Sequence, residues 1–281
     1  MKSRCLRRCN DPPAKNGRSR FGVLIRICGV LAMAVVGVVA APARSTSQAL
    51  MASTKAIFFP SGIQQQLEVA IRSNDPAAVA RIVSAGAQVN ARGKHDVTPL
   101  MIAVDAQAPN AVAALLHAGA CAGSKASDGA GAVHLAVENH AATPNGHAIL
   151  EMIMKSGADP NTLRPDGDPV IMRFIYDHDL DDLRWFRSLG ANVDIQARTG
   201  RPLIADVAFA QHWDAVWCLI ELGAKYDYEQ TLYPLSEALN SSYGSAPDSM
   251  LRPYKLKVWQ FLKDRGIAIG PFVTLKPRVG P

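Results

Sequence analysis

Residues 98–120 read TPLMIAVDAQAPNAVAALLHAGA, and this stretch decides the fold. Pro99 follows a threonine and opens an apolar segment. Proline suits a first helical turn, because its missing N–H would have no partner there anyway. Pro109 opens a second segment, in which Val112 and Leu115 fall three residues apart and so share one helical face. Gly119 then supplies the left-handed backbone that ends a helix cheaply. The unit is a turn, a short helix, a tight bend and a second helix closed by Gly119-Ala120.

The same unit recurs along the chain. Gly86, Gly119, Gly157, Gly190, Gly223 and Gly266 mark it, and Ala87, Ala120, Ala158, Ala191 and Ala224 follow the first five. Seven positions before each glycine stand Val79, Val112, Leu150, Leu183, Val216 and Trp259; four before stand Ile82, Leu115, Ile153, Phe186, Leu219 and Leu262. All twelve positions are apolar. In a chain that is half apolar, chance gives this about once in several thousand trials. Pro99, Pro169, Pro202 and Pro234 fit the first helical turn of their units, where Gly131-Ala132-Val133-His134-Leu135-Ala136 stands in one other. One such helix pair cannot bury both faces, whereas stacked pairs build a continuous core.

This pattern resembles the ankyrin repeat, whose consensus runs roughly TPLH-x-A and then VV-x-x-LL-x-x-GA-x-x-N. Ser127-Asp128-Gly129 and Pro165-Asp166-Gly167 look like the hairpin-tip turns of that family. Asn90 and Asn161 stand at its loop asparagine. The resemblance covers residues 63–270 and implies an all-α solenoid of about six helix-turn-helix repeats, about 60 Å long at roughly 10 Å per repeat. Two insertions depart from the pattern, around Asn139–His147 and across Asn240–Tyr254, and both fall between the two helices of a unit. Arg173 and Asp206 stand where the consensus prefers alanine. Residues 44–62 read as a linker and 271–281 as a tail.

The first 43 residues read as a secretory signal peptide. Lys2, Arg4, Arg7, Arg8, Lys15, Arg18 and Arg20 precede the apolar run Phe21–Ala41, which ends in the small residues Ala41-Pro42-Ala43. The competing reading is an uncleaved membrane anchor, but Arg26 leaves only about 15 uncharged residues where a span needs roughly 20. Arg7-Arg8 fits a twin-arginine signal poorly, and most of the apolar run follows Cys28 instead of preceding it, so no lipid is attached there. Residues 1–43 hold eight of the 30 basic residues and one of the 24 acidic ones, which leaves 22 and 23 in the rest. The overall net charge of +6 therefore belongs to the leader. Nothing in that balance supports nucleic-acid binding, which requires a basic face on the folded domain. Cys5, Cys9 and Cys28 leave with the leader. Cys121 and Cys218 remain in a compartment that permits disulfides. Three repeats separate them, or about 30 Å, and a disulfide needs Cα atoms within roughly 7 Å. They are not expected to pair.

No motif for catalysis is present: neither HExxH, GxSxG, a P-loop, GxGxxG nor CxxC. Asp177-His178-Asp179-Leu180-Asp181-Asp182 alternates carboxylates as a calcium loop does. However, Asp182 occupies that loop's glycine position and Ser188 its bidentate glutamate position. The segment reads better as a bend, with Asp181 and Asp182 favouring the N-terminus of the next helix. No metal and no cofactor are expected. The late aromatics Phe186 and Trp259 belong to core columns. Tyr228, Tyr233 and Tyr243 lie in loops, where tyrosine offers contact area with a polar end; Tyr254 has the same character.

Charge collects at the turn tips: Arg92, Lys94, His95 and Asp96, then Lys125 and Asp128, Arg164 and Asp166, and Arg198. In the family that this chain resembles, successive tips and first helices line a concave face that grips proteins. These residues, with the three loop tyrosines, are the expected contacts for a partner protein. Residues 165–201 and the later WDAVWCLIELGA look similar to exported ankyrin proteins that accompany lipase effectors of type VI secretion systems. That likeness implies a periplasmic immunity protein, monomeric when free, off the membrane once the leader is cleaved, and occluding a secreted toxin. Two other readings stand beside it. One is a scaffold protecting a periplasmic enzyme, as in ankyrin proteins linked to catalase. The other is a metal- or haem-binding module centred on Asp177–Asp182 and nearby histidines.

Overall fold

The computed structural model describes residues 57–226, 235–240, 250–267 and 269. Twelve helices lie among the described residues and form six pairs: α1 (Gly62–Arg72) with α2 (Pro76–Ser84), α3 (Pro99–Asp105) with α4 (Pro109–His117), α5 (Ala132–Asn139) with α6 (Gly146–Lys155), α7 (Met172–Tyr176) with α8 (Leu180–Ser188), α9 (Leu203–Phe209) with α10 (Trp213–Glu221), and α11 (Leu235–Asn240) with α12 (Arg252–Lys263). No strand occurs among the described residues. Isolated antiparallel bridges, Lys125 to Gly131, Leu163 to Pro169 and Gln196 to Pro202, close the hairpin tips between pairs. No helix described is long and apolar enough to cross a membrane.

Local chemistry sets the boundaries. Pro76, Pro99 and Pro109 open their helices, and the side chains of Asp75, Thr98 and Asp179 accept from backbone N–H groups of the first turn. The six period glycines all adopt positive φ, from 71° at Gly266 to 105° at Gly86. The bend inside four pairs turns on a left-handed residue, Asn74, Gln107, His178 or Gln211, of which asparagine and histidine are types that tolerate it. Asp181 and Asp182 do lie in the first turn of α8, where the helix dipole favours them.

First helices pack on first helices and second on second: α1 meets α3, α3 meets α5, and α9 meets α11, while α2 meets α4, α4 meets α6, α8 meets α10, and α10 meets α12. One apolar cluster runs from Phe58 to Leu262. Ten of the twelve column residues are fully buried in it; Ile82 and Trp259 are half-buried. Trp259 corrects the expected register of α12, where Val258 takes the core position one residue earlier and pairs with Leu262. The helix expected to start at Pro169 starts later, since α7 begins only at Met172 and is five residues long. Pro234, most of the Asn240–Tyr254 insertion, and residues 1–43 and 271–281, expected as leader and tail, lie outside the described residues.

The loop asparagines act as staples between repeats. Asn90 donates to the Gly119 carbonyl at 3.1 Å and accepts from Cys121 N–H at 2.8 Å. Asn161 repeats the geometry, donating to Gly190 at 3.4 Å and accepting from Asn192 N–H at 2.7 Å. Asp194 supplies the accepting half alone, to Lys225 N–H at 2.7 Å. Cys218 is a free, buried thiol, so no bond joins it to Cys121.

The end of the expected linker is part of the fold. Phe58 and Phe59 are buried, and both of their N–H groups donate to one oxygen of Glu68 at 3.0 Å. Glu68 is itself buried and held by Arg72 at 3.0 Å. Phe58 and Phe59 join the apolar cluster and lie beside Gly93 of the first hairpin tip.

Candidate protein-binding face

The hairpin tips stack in register. Ser127 N–H donates to the His95 carbonyl at 2.9 Å, and the Arg92 guanidinium donates to the Lys125 carbonyl at 3.1 Å. A Cβ on Gly129 would lie 3.6 Å from Pro165 Cα. Arg198 N–H donates to Asp168 at 2.7 Å, and the Arg198 chain passes over Gly167. Four tips, from residues 93–97 to 197–202, therefore form one continuous edge. Three of them are tightened from within by side chains. Asp128 accepts from Ala130 N–H and Asp166 from Asp168 N–H, both at 3.1 Å, and the Thr199 hydroxyl accepts from Arg201 N–H.

Most expected contact residues stand on this edge. Lys94, His95, Asp96, Lys125 and Arg198 are exposed. Arg92 lies 3.8 Å from Asp96, with both half in solvent, and Arg198 reaches Asp168 at 3.9 Å. Asp128 is half-buried and committed to its turn. Tyr228, Tyr233 and Tyr243 lie outside the described residues.

Arg164 is a correction. Its side chain is only 6% exposed and folds inward between Glu138, at 3.5 Å, and Asp166, at 3.4 Å. A long cationic chain next to a buried carboxylate turns toward it, because leaving Glu138 unpaired costs more than ordering the arginine. Arg164 builds the face and offers no free charge to a partner.

Sequence reasoning missed the cluster behind it. Glu138 on α5 also meets Arg173 of α7 at 3.5 Å, and Arg173 reaches Asp177 at 2.8 Å. Two guanidiniums thus face the carboxylates of Glu138, Asp166 and Asp177. On α9, Asp206 binds the Thr199 hydroxyl at 2.9 Å and Arg201 at 3.4 Å. The alanine-column departures at Arg173 and Asp206 were the available signal: each replaces a small side chain with a charge that needs a partner, Glu138 of the preceding repeat for Arg173 and the tip of its own repeat for Asp206.

Two groups on this face have displaced protonation. Burial, and secondly the Arg164 guanidinium, lower the His134 pKa from 6.5 to about 4, so its ring stays neutral. Burial, then the carboxylates of Asp206 and Asp168, raise that of Tyr176, which keeps its phenol protonated. The face therefore combines fixed ion pairs and neutral ring donors beside exposed tip charges. Such a surface is suited to recognising a partner by charge pattern.

Residues 67–162 match the family model "Ankyrin repeats (3 copies)". Among solved structures, the ankyrin repeat domain of Bcl-3, described as a unique member of the IkappaB protein family, is similar at a TM-score of 0.51 and 23% identity. The similarity covers 57% of this chain and 70% of that one. It concerns the fold, an ankyrin-repeat solenoid. No curated protein matches in sequence.

Proposed function

We propose that this chain is a protein–protein interaction module that acts without catalysis in the periplasm, as an immunity protein that neutralises a secreted lipase-type effector. What supports the binding role is the register of the stack: four hairpin tips and their first helices make one edge from otherwise scattered turns, with cations and carboxylates alternating along it. The ankyrin match over residues 67–162 supports the same role. The leader-like first 43 residues and the likeness of residues 165–201 to exported companions of type VI lipase effectors support the compartment and the class of partner.

A pull-down from the native host's periplasm, with any co-encoded toxin expressed, tests this reading. The expected result is a stoichiometric complex in which the toxin's lipase activity is lost, with the recovered chain starting near Ala43. Recovery of the uncleaved chain from the cytoplasm would contradict the compartment, and an unbound, fully active toxin would contradict the immunity role.

A further inference from the structure

The widened bend of the third repeat carries a group that the binding face does not use. His140 closes α5, and its ring is buried, with the side chain only 1% exposed. Its Nδ1 lies 2.6 Å from the Val137 carbonyl, which fixes the proton on that nitrogen. Nε2 has no hydrogen-bond partner. It points at two carboxylates of the next repeat, Asp179 at 3.4 Å and Asp182 at 3.8 Å. His147 on α6 brings a second imidazole, with Nδ1 3.4 Å from Asp182.

These separations carry the argument. Charge-assisted N–H···O bonds measure about 2.7–2.9 Å, so His140 is too far from both carboxylates for a direct contact. Four ligands at 2.0–2.1 Å around a tetrahedral ion stand about 3.3 Å apart. The one-atom ligands of His140, Asp179 and Asp182 all lie within 4.8 Å of one another. Elsewhere the bends reach the next repeat by ordinary contacts: Asn74 accepts from Ala111 N–H at 3.0 Å, and His178 meets Asp214 at 2.7 Å. At His140 the separations from the next repeat are longer, 3.4 Å to Asp179 and 3.8 Å to Asp182.

We propose that His140, Asp179 and Asp182, whose ligand atoms converge, form a site for one divalent first-row transition cation, zinc above all, that ties the third repeat to the fourth, with His147, 3.4 Å from Asp182, turning in as the fourth ligand when the ion binds. Two imidazoles and two carboxylates suit zinc in tetrahedral geometry and do not suit calcium, which takes oxygen ligands. The second shell is in place: the Val137 carbonyl orients His140, and Phe174 meets its ring edge-to-face at 4.8 Å. His147, 59% exposed, leaves a way in from solvent. The insertion at Asn139–His147 is what brings both histidines to one place.

The test is zinc titration of the purified protein after chelation and dialysis, followed by Trp185 fluorescence, because His147 lies 5.4 Å from that ring. Cobalt serves as the spectroscopic probe. The expected result is one ion per chain, a change in Trp185 emission, and cobalt absorption of the intensity typical of four-coordination. His147→Ala, at an exposed position, is expected to keep the helical circular dichroism and weaken zinc at least tenfold; Asp182→Asn should do the same. Zinc bound no more tightly than by an unrelated histidine-bearing protein would overturn the proposal. So would affinity that both substitutions leave unchanged. Neither result touches the partner-binding reading, which uses the opposite end of the helix pairs.

Discussion

His134 makes the fold acid-sensitive in a window where carboxylates scarcely titrate. In the folded chain its pKa is held at about 4, against 6.5 when exposed. Between those values the unfolded chain binds more protons, so lowering the pH favours unfolding. The stabilising effect of the neutral ring is complete above pH 6.5 and drains as the pH falls toward 4. Applying linkage to the two values gives a loss of about 2 kcal/mol between pH 7 and pH 5. His134→Leu removes the titration at similar volume, and no hydrogen bond is lost at Nδ1, which has no partner. Urea unfolding followed by circular dichroism at both pH values measures the two losses. His212, whose pKa burial also lowers, is present in both proteins and cancels. The wild type should lose about 2 kcal/mol more than the variant. Equal losses would refute a neutral, buried His134.

Three further outcomes follow from other contacts. Asn161→Ala removes both halves of an inter-repeat staple and should cost about 2 kcal/mol in urea unfolding, whereas Asn161→Asp, keeping the acceptor as Asp194 does, should cost less. Gly146→Ala would place a Cβ 2.0 Å from the Asn139 carbonyl oxygen and 2.6 Å from that of His140, and the forced shift should lower stability by about 3 kcal/mol. Burial pushes the Cys218 thiol up to about 11, so the Ellman's-reagent signal that disappears in Cys218→Ser should develop about 100-fold slower or more in the native than in the unfolded protein.

The repeat was legible because its signals are local. Each period glycine sits at the helix-ending position of its unit, which needs positive φ, and each column pair lies within a single helix. Ten of those twelve residues are buried as the spacing implies; Ile82 is half-buried, and Trp259 is displaced by one residue. What stayed hidden depends on contacts between repeats. Arg164 reads as a tip charge until Glu138, 26 residues earlier, is placed beside it. Phe58 and Phe59 read as linker because their partner Glu68 is a charged residue, usually solvated, that here accepts two backbone N–H groups. His140 and His147 came together only once an insertion, seen in the sequence as a widened turn, was closed by Gly146. The tip edge itself was anticipated, but its internal ion pairs were not, since spacing gives no side-chain direction at a turn.

The most direct measurement is site-specific photo-crosslinking in the native host. A photoreactive side chain is placed at His95 or Arg198 on the tip edge, and in parallel at Glu151 or Lys155 on α6, away from it. The account predicts that the tip positions capture one common protein, the same one that copurifies, and that the α6 positions capture none. Capture of that protein from α6 with silence at the tips would contradict it.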